Sequence, residues 1–128
     1  QLNVWRGLAF EELCFSHIAQ IKRKLGIAGV CSSESSWLVV NVDKKQQMDM
    51  LIDRADNVVH LCEIKFYGKP FVIDKSYDII LRERVQTLID VVPHKKSIHL
   101  TMIVASGLKQ NEYSGQVQNV VTLDDLFV

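Results

Sequence analysis

Two charged residues lie in a run of apolar residues, where charge is unusual. Alternation along 58–66 puts Glu63 and Lys65 on one face of a predicted strand, and both faces of that strand are otherwise largely apolar. A strand of this kind is interior, and an interior charge is unfavourable unless it is paired or bound to a metal. The neighbouring run 47–53 carries Asp49 in a similar apolar setting. These charges therefore need an explanation other than solvation.

The two runs are predicted to form a β-hairpin, because the short polar segment around Asp56 is typical of a turn. A turn centred on Asp56 places Asp49 directly opposite Glu63. The same register pairs Asp53 with Val59. Opposed carboxylates, with Cβ atoms about 5 Å apart, repel each other unless a cation lies between them. A register shift of one residue would move Asp49 to the other face of the sheet.

Asp49, Glu63 and Lys65 are residue types suited to metal-dependent phosphodiester hydrolysis. Mg²⁺ is a hard cation that proteins hold through one or two carboxylates with carbonyl, water and phosphate oxygens, and Asp49 and Glu63 meet that minimum. Lys65 projects from the same face as Glu63, where an ammonium group can hold a nucleophilic water or offset charge in the transition state. The alternative is a structural Glu63–Lys65 ion pair, since a carboxylate-x-lysine triplet also occurs by chance.

Hydrophobic periodicity and turn chemistry predict the elements that position these residues. Apolar residues recur at three- and four-residue spacings over 8–24 and over 75–91, which predicts two amphipathic helices. β-Branched residues at 37–42 and a long apolar run at 97–105 predict two further strands. The order α-β-β-β-α-β indicates an α/β fold. The remaining segments are predicted as a loop or weak strand at 26–36, a loop at 107–118, a short strand at 120–121 and a helix start at 122–125.

Size and charge restrict the class of protein. The 128 residues, 48% of them apolar, are enough for one globular domain with its own core. The 15 Lys and Arg residues balance the 15 Asp and Glu residues, which excludes the overall basic field of a histone-like DNA binder. No apolar run approaches the roughly 18 residues of a membrane span, so no membrane partner is expected. Because a helical pattern follows closely on Gln1, we expect a fragment of a longer polypeptide.

Cysteine and histidine usage shows no disulfide or metal signature. The three cysteines are odd in number, lie in apolar surroundings and form no C-x-x-C pair, which favours a reducing, cytoplasmic setting. Cys14 and Cys62 are predicted to be core thiols. His17 and His60, also among apolar neighbours, are predicted to be hydrogen-bonded core histidines rather than ligands.

The pattern resembles the PD-(D/E)xK, or restriction-endonuclease-like, superfamily over most of the chain. Its motif would be Asp49 with Glu63-Ile64-Lys65, although Met48 stands where the superfamily usually has proline. The segment 7–11 is similar to the G-x-x-F-E segment of resolvase-like and Mrr-like members, which points to Glu11, with its neighbour Glu12 as the alternative. The resemblance implies a restriction-endonuclease-like three-layer core with a mixed central sheet.

The resemblance also implies the site residues. The metal would be held by Asp49, Glu63 and the backbone carbonyl of Ile64, with Lys65 as the transition-state or water-positioning cation and Glu11 as outer support. The helix after the third strand contributes polar residues in such folds. The nucleic-acid-contacting candidates on that helix are Lys75, Tyr77, Arg82 and Gln86.

More narrowly, 49–77 and 111–127 resemble the C-terminal domain of archaeal-type AAA+ ATPases that also occur in bacteria. This resemblance implies an N-terminal ATPase module in the same polypeptide. The 128 residues contain no Gly-rich phosphate loop, so ATP binding is not assigned to them.

The sequence therefore predicts a domain that hydrolyses phosphodiester bonds of DNA with Mg²⁺ or Mn²⁺. The domain can also form a homo-oligomer. One alternative is a catalytically silent nuclease-like domain that serves as a DNA-binding or regulatory appendage of an AAA+ ATPase. Another is a protein-interaction module with an exposed apolar patch near 102–108 or 126–128.

Overall fold

A five-stranded mixed β-sheet with helices on both faces gives the chain an α/β fold. The computed structural model describes residues 2–40 and 45–128. The helices are α1 (Leu2–Ser16), α2 (Ile18–Lys24) and α3 (Lys75–Val91), and the strands are β1 (Ser32–Val40), β2 (Lys45–Arg54), β3 (Val58–Lys65), β4 (Ser97–Val104) and β5 (Asn119–Val121), with 3₁₀ turns at Ser114–Gln116 and Asp124–Phe127. Within these ranges, none of the helices has the length and apolar character that crossing a membrane requires.

The strand order β1-β2-β3-β4-β5 puts β3 at the centre of the sheet. Strands β1, β2 and β3 are antiparallel neighbours, whereas β4 is parallel to β3 and β5 is parallel to β4. Two parallel strands cannot be joined by a tight turn, and α3 makes the crossover from β3 to β4. Strand β3 therefore has a paired strand on each edge.

Adjacent residues of β3 pack into two separate cores. Cys62 packs with Phe10 of α1 on one face, and Leu61 packs with Leu81 of α3 on the other. All four side chains are buried, which confirms the prediction that this strand is interior. Because side chains alternate along a strand, Glu63 lies on the α3 side of the sheet with Leu61.

Helix α3 has the predicted bounds of 75–91. Its N-cap is Asp74, whose Oδ1 accepts a hydrogen bond of 2.8 Å from the Tyr77 backbone N–H. Pro93 lies just beyond the C-terminal end, where it cannot continue the helix. The apolar stripe, with Leu81 and Leu88 fully buried, faces the sheet.

The predicted hairpin between β2 and β3 forms, but it ends earlier than expected on the Asp49 side. The pairing of Asp53 with Val59 is confirmed. The last pair of this ladder among the described residues is Met50 with Cys62, so Asp49 and Glu63 are not a cross-strand pair. The expected direct opposition of these two carboxylates is therefore wrong.

A β-bulge in β2 explains why the ladder ends there. On the other edge of β2, Leu51 pairs with Ser35 and Met48 pairs with Trp37, so β2 uses one more residue than β1 over this stretch. The alternation of faces breaks at the extra residue, and Met48 packs on the α3 side whereas Met50 packs on the α1 side. Bulges of this kind redirect a side chain next to a site.

Two other boundaries differ from the predictions. The single helix predicted over 8–24 is two helices, because the backbone breaks at His17 (φ −124°, ψ 35°). The ring of His17 bonds the Leu13 carbonyl oxygen at 2.9 Å, which satisfies an acceptor at the end of α1. Strand β1 begins earlier than the predicted 37–42, and residues 41–42 lie outside the described residues.

Candidate active site

Four predicted site residues from three elements lie within electrostatic reach of one another. Glu11 comes from α1, Asp49 from β2, and Glu63 and Lys65 from β3. Burial raises the pKa of Glu11, the charge of Asp49 raises it further and the charge of Lys65 lowers it. The charge of Asp49 likewise raises the pKa of Glu63, and the charge of Lys65 likewise lowers it. The fold thus brings together residues that are far apart in the sequence.

Asp49 is held against β3 by a backbone hydrogen bond. Its Oδ2 accepts from the Ile64 N–H at 2.9 Å. The side-chain carboxylate thereby replaces the backbone carbonyl that would accept a hydrogen bond from Ile64 in a regular sheet. Ile64 lies two residues beyond Cys62, which belongs to the last β2–β3 pair. The carboxylate of Asp49 is therefore fixed next to the Glu63-Ile64 peptide by this side-chain bond, because the ladder keeps the predicted register but stops at Met50 and Cys62.

Glu63 is the most unusual residue of the site, with 0% of its surface exposed. Its Oε1 accepts hydrogen bonds from the Arg84 guanidinium and from the Tyr77 hydroxyl, the latter at 3.2 Å. Its Oε2 is buried and has no hydrogen-bond partner among the described residues. Burial raises the pKa of Glu63 to about 7, against the lowering effect of Arg84, and Asp49 raises it as well. Glu63 is thus a buried carboxyl group with one open acceptor.

The donor set fits a hard divalent cation. Two carboxylates, Asp49 and Glu63, and the backbone carbonyl of Ile64 are oxygen ligands of the type that Mg²⁺ and Mn²⁺ prefer. The unpartnered Oε2 of Glu63 is a buried acceptor that a cation would satisfy. In residues 2–40 and 45–128, no cluster of three or more His, Cys, Asp or Glu side chains is arranged to hold a metal. Two carboxylates with water and substrate oxygens are a sufficient set for Mg²⁺.

Lys65 is not paired with Glu63. In the part of the chain that the structure describes, the ion-pair partner of Glu63 is Arg84. The Lys65 Nζ lies 4.9 Å from the ring centroid of Tyr77 and 6.0 Å from that of Phe71, which is a cation–π arrangement. The alternative of a structural Glu63–Lys65 ion pair is therefore not what the fold adopts.

Arg84 is a site residue that the sequence reasoning missed. It reaches Glu63 from α3, seven residues after Tyr77 and therefore on the same face of the helix. The sequence contains a signal for its burial, because Arg84 lies between Leu81 and Leu88 at the three- and four-residue spacings of the buried stripe. An arginine in that stripe needs a buried partner, by the same argument that singled out Glu63.

The other predicted α3 residues divide into two groups. Tyr77 lies in the site, as its bond to Glu63 shows. Arg82 donates instead to Asp78 at 3.0 Å, and Gln86 donates to Asp90 at 2.9 Å. Lys75 is exposed at the start of the helix. Contacts of Lys75, Arg82 and Gln86 with DNA stay predictions, and the structure does not place them beside Glu63.

Two clefts open the site to solvent on either side of Glu11. One, of about 450 Å³, is lined by Glu11, Ile64 and Lys65. The other, of about 590 Å³, is lined by Glu11, its exposed neighbour Glu12 and Asp49.

Comparisons with known proteins bear on the fold alone. No protein-family model and no curated protein matches the chain. Among solved structures, the chain is similar to "Crystal Structure of Protein of Unknown Function AF1548", with 16% sequence identity and a TM-score of 0.54. The similarity covers 89% of this chain and 64% of that chain. The chain thus spans less than two thirds of that protein, and at this identity the likeness shows a shared α/β fold and says nothing about activity.

Proposed function

We propose that this chain is a restriction-endonuclease-like domain of the PD-(D/E)xK type that hydrolyses phosphodiester bonds of DNA with Mg²⁺ or Mn²⁺. The observation that carries the proposal is the buried Glu63, whose Oε2 has no hydrogen-bond partner among the described residues, beside Asp49 and Lys65. The element order and the mixed sheet with helices on both faces are consistent with the three-layer core of that superfamily.

In this mechanism, Asp49, Glu63 and the Ile64 carbonyl would hold the ion. A divalent cation supplies positive charge to the scissile phosphate and favours ionisation of water. The protein contributes positioning, since the Ile64 N–H fixes Asp49 and the Tyr77 hydroxyl donates to Glu63. A carboxylate held by such bonds loses little entropy on binding.

Lys65 would provide positive charge that stabilises the transition state. Hydrolysis forms a bond from a water oxygen to phosphorus and breaks the bond to one ester oxygen, which then takes up a proton. Negative charge grows on the phosphoryl oxygens during this step. The ammonium of Lys65, which lines the cleft and is not paired with Glu63, would offset that charge or orient the water. Glu11 supports the site from α1, where its charge acts on the same groups.

The direct test is cleavage by the purified chain. Labelled single-stranded and duplex DNA is incubated with Mg²⁺, with Mn²⁺ or with EDTA, and the products are separated by size. We expect cleavage that requires the metal and that is abolished in Glu63→Gln, with an unchanged circular dichroism spectrum. Glu112→Gln, an exposed glutamate outside the site, serves as the matched control and keeps wild-type activity. Retained cleavage by Glu63→Gln, or no cleavage by the wild-type chain, would reject the proposal.

The Arg84–Glu63 ion pair favours a second candidate, a silent nuclease-like domain that serves an ATPase as a DNA-binding or regulatory appendage. The guanidinium already compensates the buried carboxylate without a cation. Calorimetry with Mg²⁺ and Mn²⁺ separates the two candidates. Binding heat that disappears in Asp49→Asn supports a working site, whereas no binding supports the appendage.

A further inference from the structure

The connection between β3 and α3 presents aromatic rings beside the proposed site. The rings of Tyr67 and Phe71 are nearly parallel, with an interplanar angle of 6° and a centroid distance of 5.4 Å. Tyr77 meets the edge of Phe71 at 5.4 Å. Tyr67 remains 52% exposed, so core packing does not account for it. We refer to Tyr67 and Phe71 as the aromatic platform.

The aromatic platform is anchored by backbone bonds to the segment after β4. The Phe71 N–H donates to the Gly107 carbonyl at 2.8 Å, and the Lys109 N–H donates to the Phe71 carbonyl at 2.9 Å. The Ser106 hydroxyl donates to the Tyr67 carbonyl at 2.8 Å. A platform held at both residues loses little conformational entropy when a planar group stacks on it.

Positive charge lies along the same cleft. Lys65, Lys69, Tyr67 and Phe71 line one cleft of about 410 Å³. Asp74 also lines the cleft, but its Oδ1 is engaged by the N-terminus of α3. Aromatic faces next to ammonium groups are the combination that binds single-stranded nucleic acid, because bases stack on the rings while phosphates meet the cations.

We propose that the aromatic platform stacks an unpaired base of the DNA strand whose backbone passes Lys65. In a duplex, both faces of a base are covered by its neighbours, so an exposed ring beside the reacting phosphate can be used only by an unstacked base. The substrate class is therefore DNA with unpaired nucleotides at the scissile position, namely single strands or frayed ends. This inference rests on the proposed function for the identity of the polymer.

Fluorescence anisotropy in EDTA tests the stacking separately from hydrolysis. The probes are a short fluorescein-labelled oligothymidine and a blunt mixed-sequence duplex. We expect Tyr67→Ala to weaken oligothymidine binding by about 5- to 150-fold, the range for loss of one base–aromatic stack, with duplex binding unchanged. Tyr67→Phe keeps the ring and is expected to bind like the wild-type chain. Trp5→Ala removes an aromatic residue that is 73% exposed outside the platform, and it is the matched control.

Tyr67→Leu separates stacking from simple apolar contact. Leucine keeps an apolar surface but has no π face, so it is expected to bind as weakly as alanine. If Tyr67→Leu binds as tightly as Tyr67→Phe, or if Tyr67→Ala weakens both probes equally, the stacking inference is overturned and a protein-docking surface is favoured.

The two proposals can fail independently. Oligothymidine binding that depends on Tyr67, without any metal-dependent cleavage, supports the platform and rejects hydrolysis. Cleavage that requires Glu63 but is the same for single-stranded and duplex DNA in wild type and Tyr67→Ala supports hydrolysis and overturns the platform. Absence of oligothymidine binding by the wild-type chain overturns the platform as well.

Discussion

Arg84 makes a fully buried Glu63 tolerable in the absence of a cation. Desolvation of a carboxylate is unfavourable by several kcal/mol, and an ion pair offsets it only when the geometry is good. The guanidinium bonds Oε1 and leaves Oε2 without a partner, and the Arg84 Nε is itself buried and unpartnered among the described residues. The pair is thus incompletely satisfied on both sides, and Glu63 Oε2 and Arg84 Nε can each take a further polar partner such as water or an ion.

Loss of Arg84 is expected to destabilise the metal-free protein strongly. In urea unfolding at pH 8, Arg84→Met should lower the free energy of unfolding by up to about 3–5 kcal/mol, because Glu63 loses its charged partner and must be buried either as an unpaired carboxylate or by taking up a proton. Adding Glu63→Gln to that variant should restore part of the loss. Arg82→Met, which removes a mostly exposed arginine of the same helix, should change stability by less than about 1 kcal/mol. Equal effects of the two single variants would contradict the role of Arg84.

Lys65 is expected to act on turnover rather than on the metal. Lys65→Ala should reduce the single-turnover cleavage rate at saturating Mg²⁺ by about 100-fold, the order of one electrostatic donor to a transition state. The Mg²⁺ concentration that gives half of the maximal rate should stay nearly the same, since Lys65 is not a ligand. Lys109→Ala removes an exposed lysine outside the site and should change neither quantity. A parallel loss of rate and metal affinity would show that Lys65 is needed to form the metal site.

Strand β2 positions Asp49 through an irregularity rather than through regular pairing. The bulge ends the β2–β3 ladder at Met50, and the freed Ile64 N–H is taken by the Asp49 carboxylate. The bulge therefore accounts both for the end of the β2–β3 pairing and for the position of the Asp49 carboxylate. A regular hairpin would have satisfied Ile64 from the backbone and left Asp49 without this anchor.

Substitutions at Asp49 should separate its structural role from its proposed metal role. Asp49→Asn keeps an oxygen acceptor for the Ile64 N–H, so it should abolish metal binding in calorimetry with little change in unfolding free energy. Asp49→Ala leaves that buried N–H unpaired and should cost about 1–3 kcal/mol. Asp53→Ala, on the same strand, breaks a partly exposed ion pair with Lys96 and should cost less than about 1 kcal/mol. Metal binding by Asp49→Asn at wild-type affinity would remove Asp49 from the ligand set.

The stability of the molecule as a whole also depends on a second buried titratable group, His60, which lies on β3 three residues before Glu63. His60 Nε2 lies 3.1 Å from an Arg54 guanidinium nitrogen and Nδ1 lies 3.0 Å from the Thr101 hydroxyl. Arginine only donates, so Nε2 accepts and the proton of the neutral ring is on Nδ1. Burial lowers the pKa of His60 to about 4 from 6.5, and the charges of Arg54 and His99 add to the effect. The prediction of a hydrogen-bonded core histidine at this position is confirmed.

This shift predicts the pH dependence of folding. Because the pKa of His60 is lower in the folded state, the unfolded state takes up a proton first as the pH falls. The free energy of unfolding is therefore highest above the unfolded pKa of 6.5 and decreases as the pH falls toward about 4. Glu63 has the opposite effect, because its raised pKa reduces stability as the pH rises from 4.5 to about 7. The two contributions oppose each other in the wild-type chain, so variants must be compared.

We expect the difference in unfolding free energy between wild type and His60→Gln to grow by up to about 3 kcal/mol from pH 4 to pH 6.5. Glu63 is present in both proteins, and its contribution cancels. Urea unfolding at several pH values measures the difference. His94→Gln, which removes an exposed histidine, should give a curve parallel to the wild type. A parallel curve for His60→Gln would contradict the lowered pKa.

Local patterns in the sequence were sufficient for part of this protein. The bounds of α3 follow from the apolar period, the Asp74 cap and Pro93, and the hairpin turn follows from a short polar segment between two apolar runs. The burial of Glu63 follows from a strand that is apolar on both faces. The contrary case is Cys31, which was expected in apolar surroundings and is exposed. The successful predictions for α3, the hairpin turn and Glu63 need only neighbouring residues, because periodicity, caps and turns act within a few positions of the chain.

Contacts between distant segments decided the rest. The break at His17, the end of the β2–β3 ladder at Met50 and the pairing of Arg84 with Glu63 each depend on which elements pack together. So does the aromatic platform, since the position of Phe71 is set by hydrogen bonds to the segment after β4. A sequence lists the donors, acceptors and charges, but their partners are chosen by the packing of helices on both faces of one sheet, where every buried polar group must be satisfied at the same time.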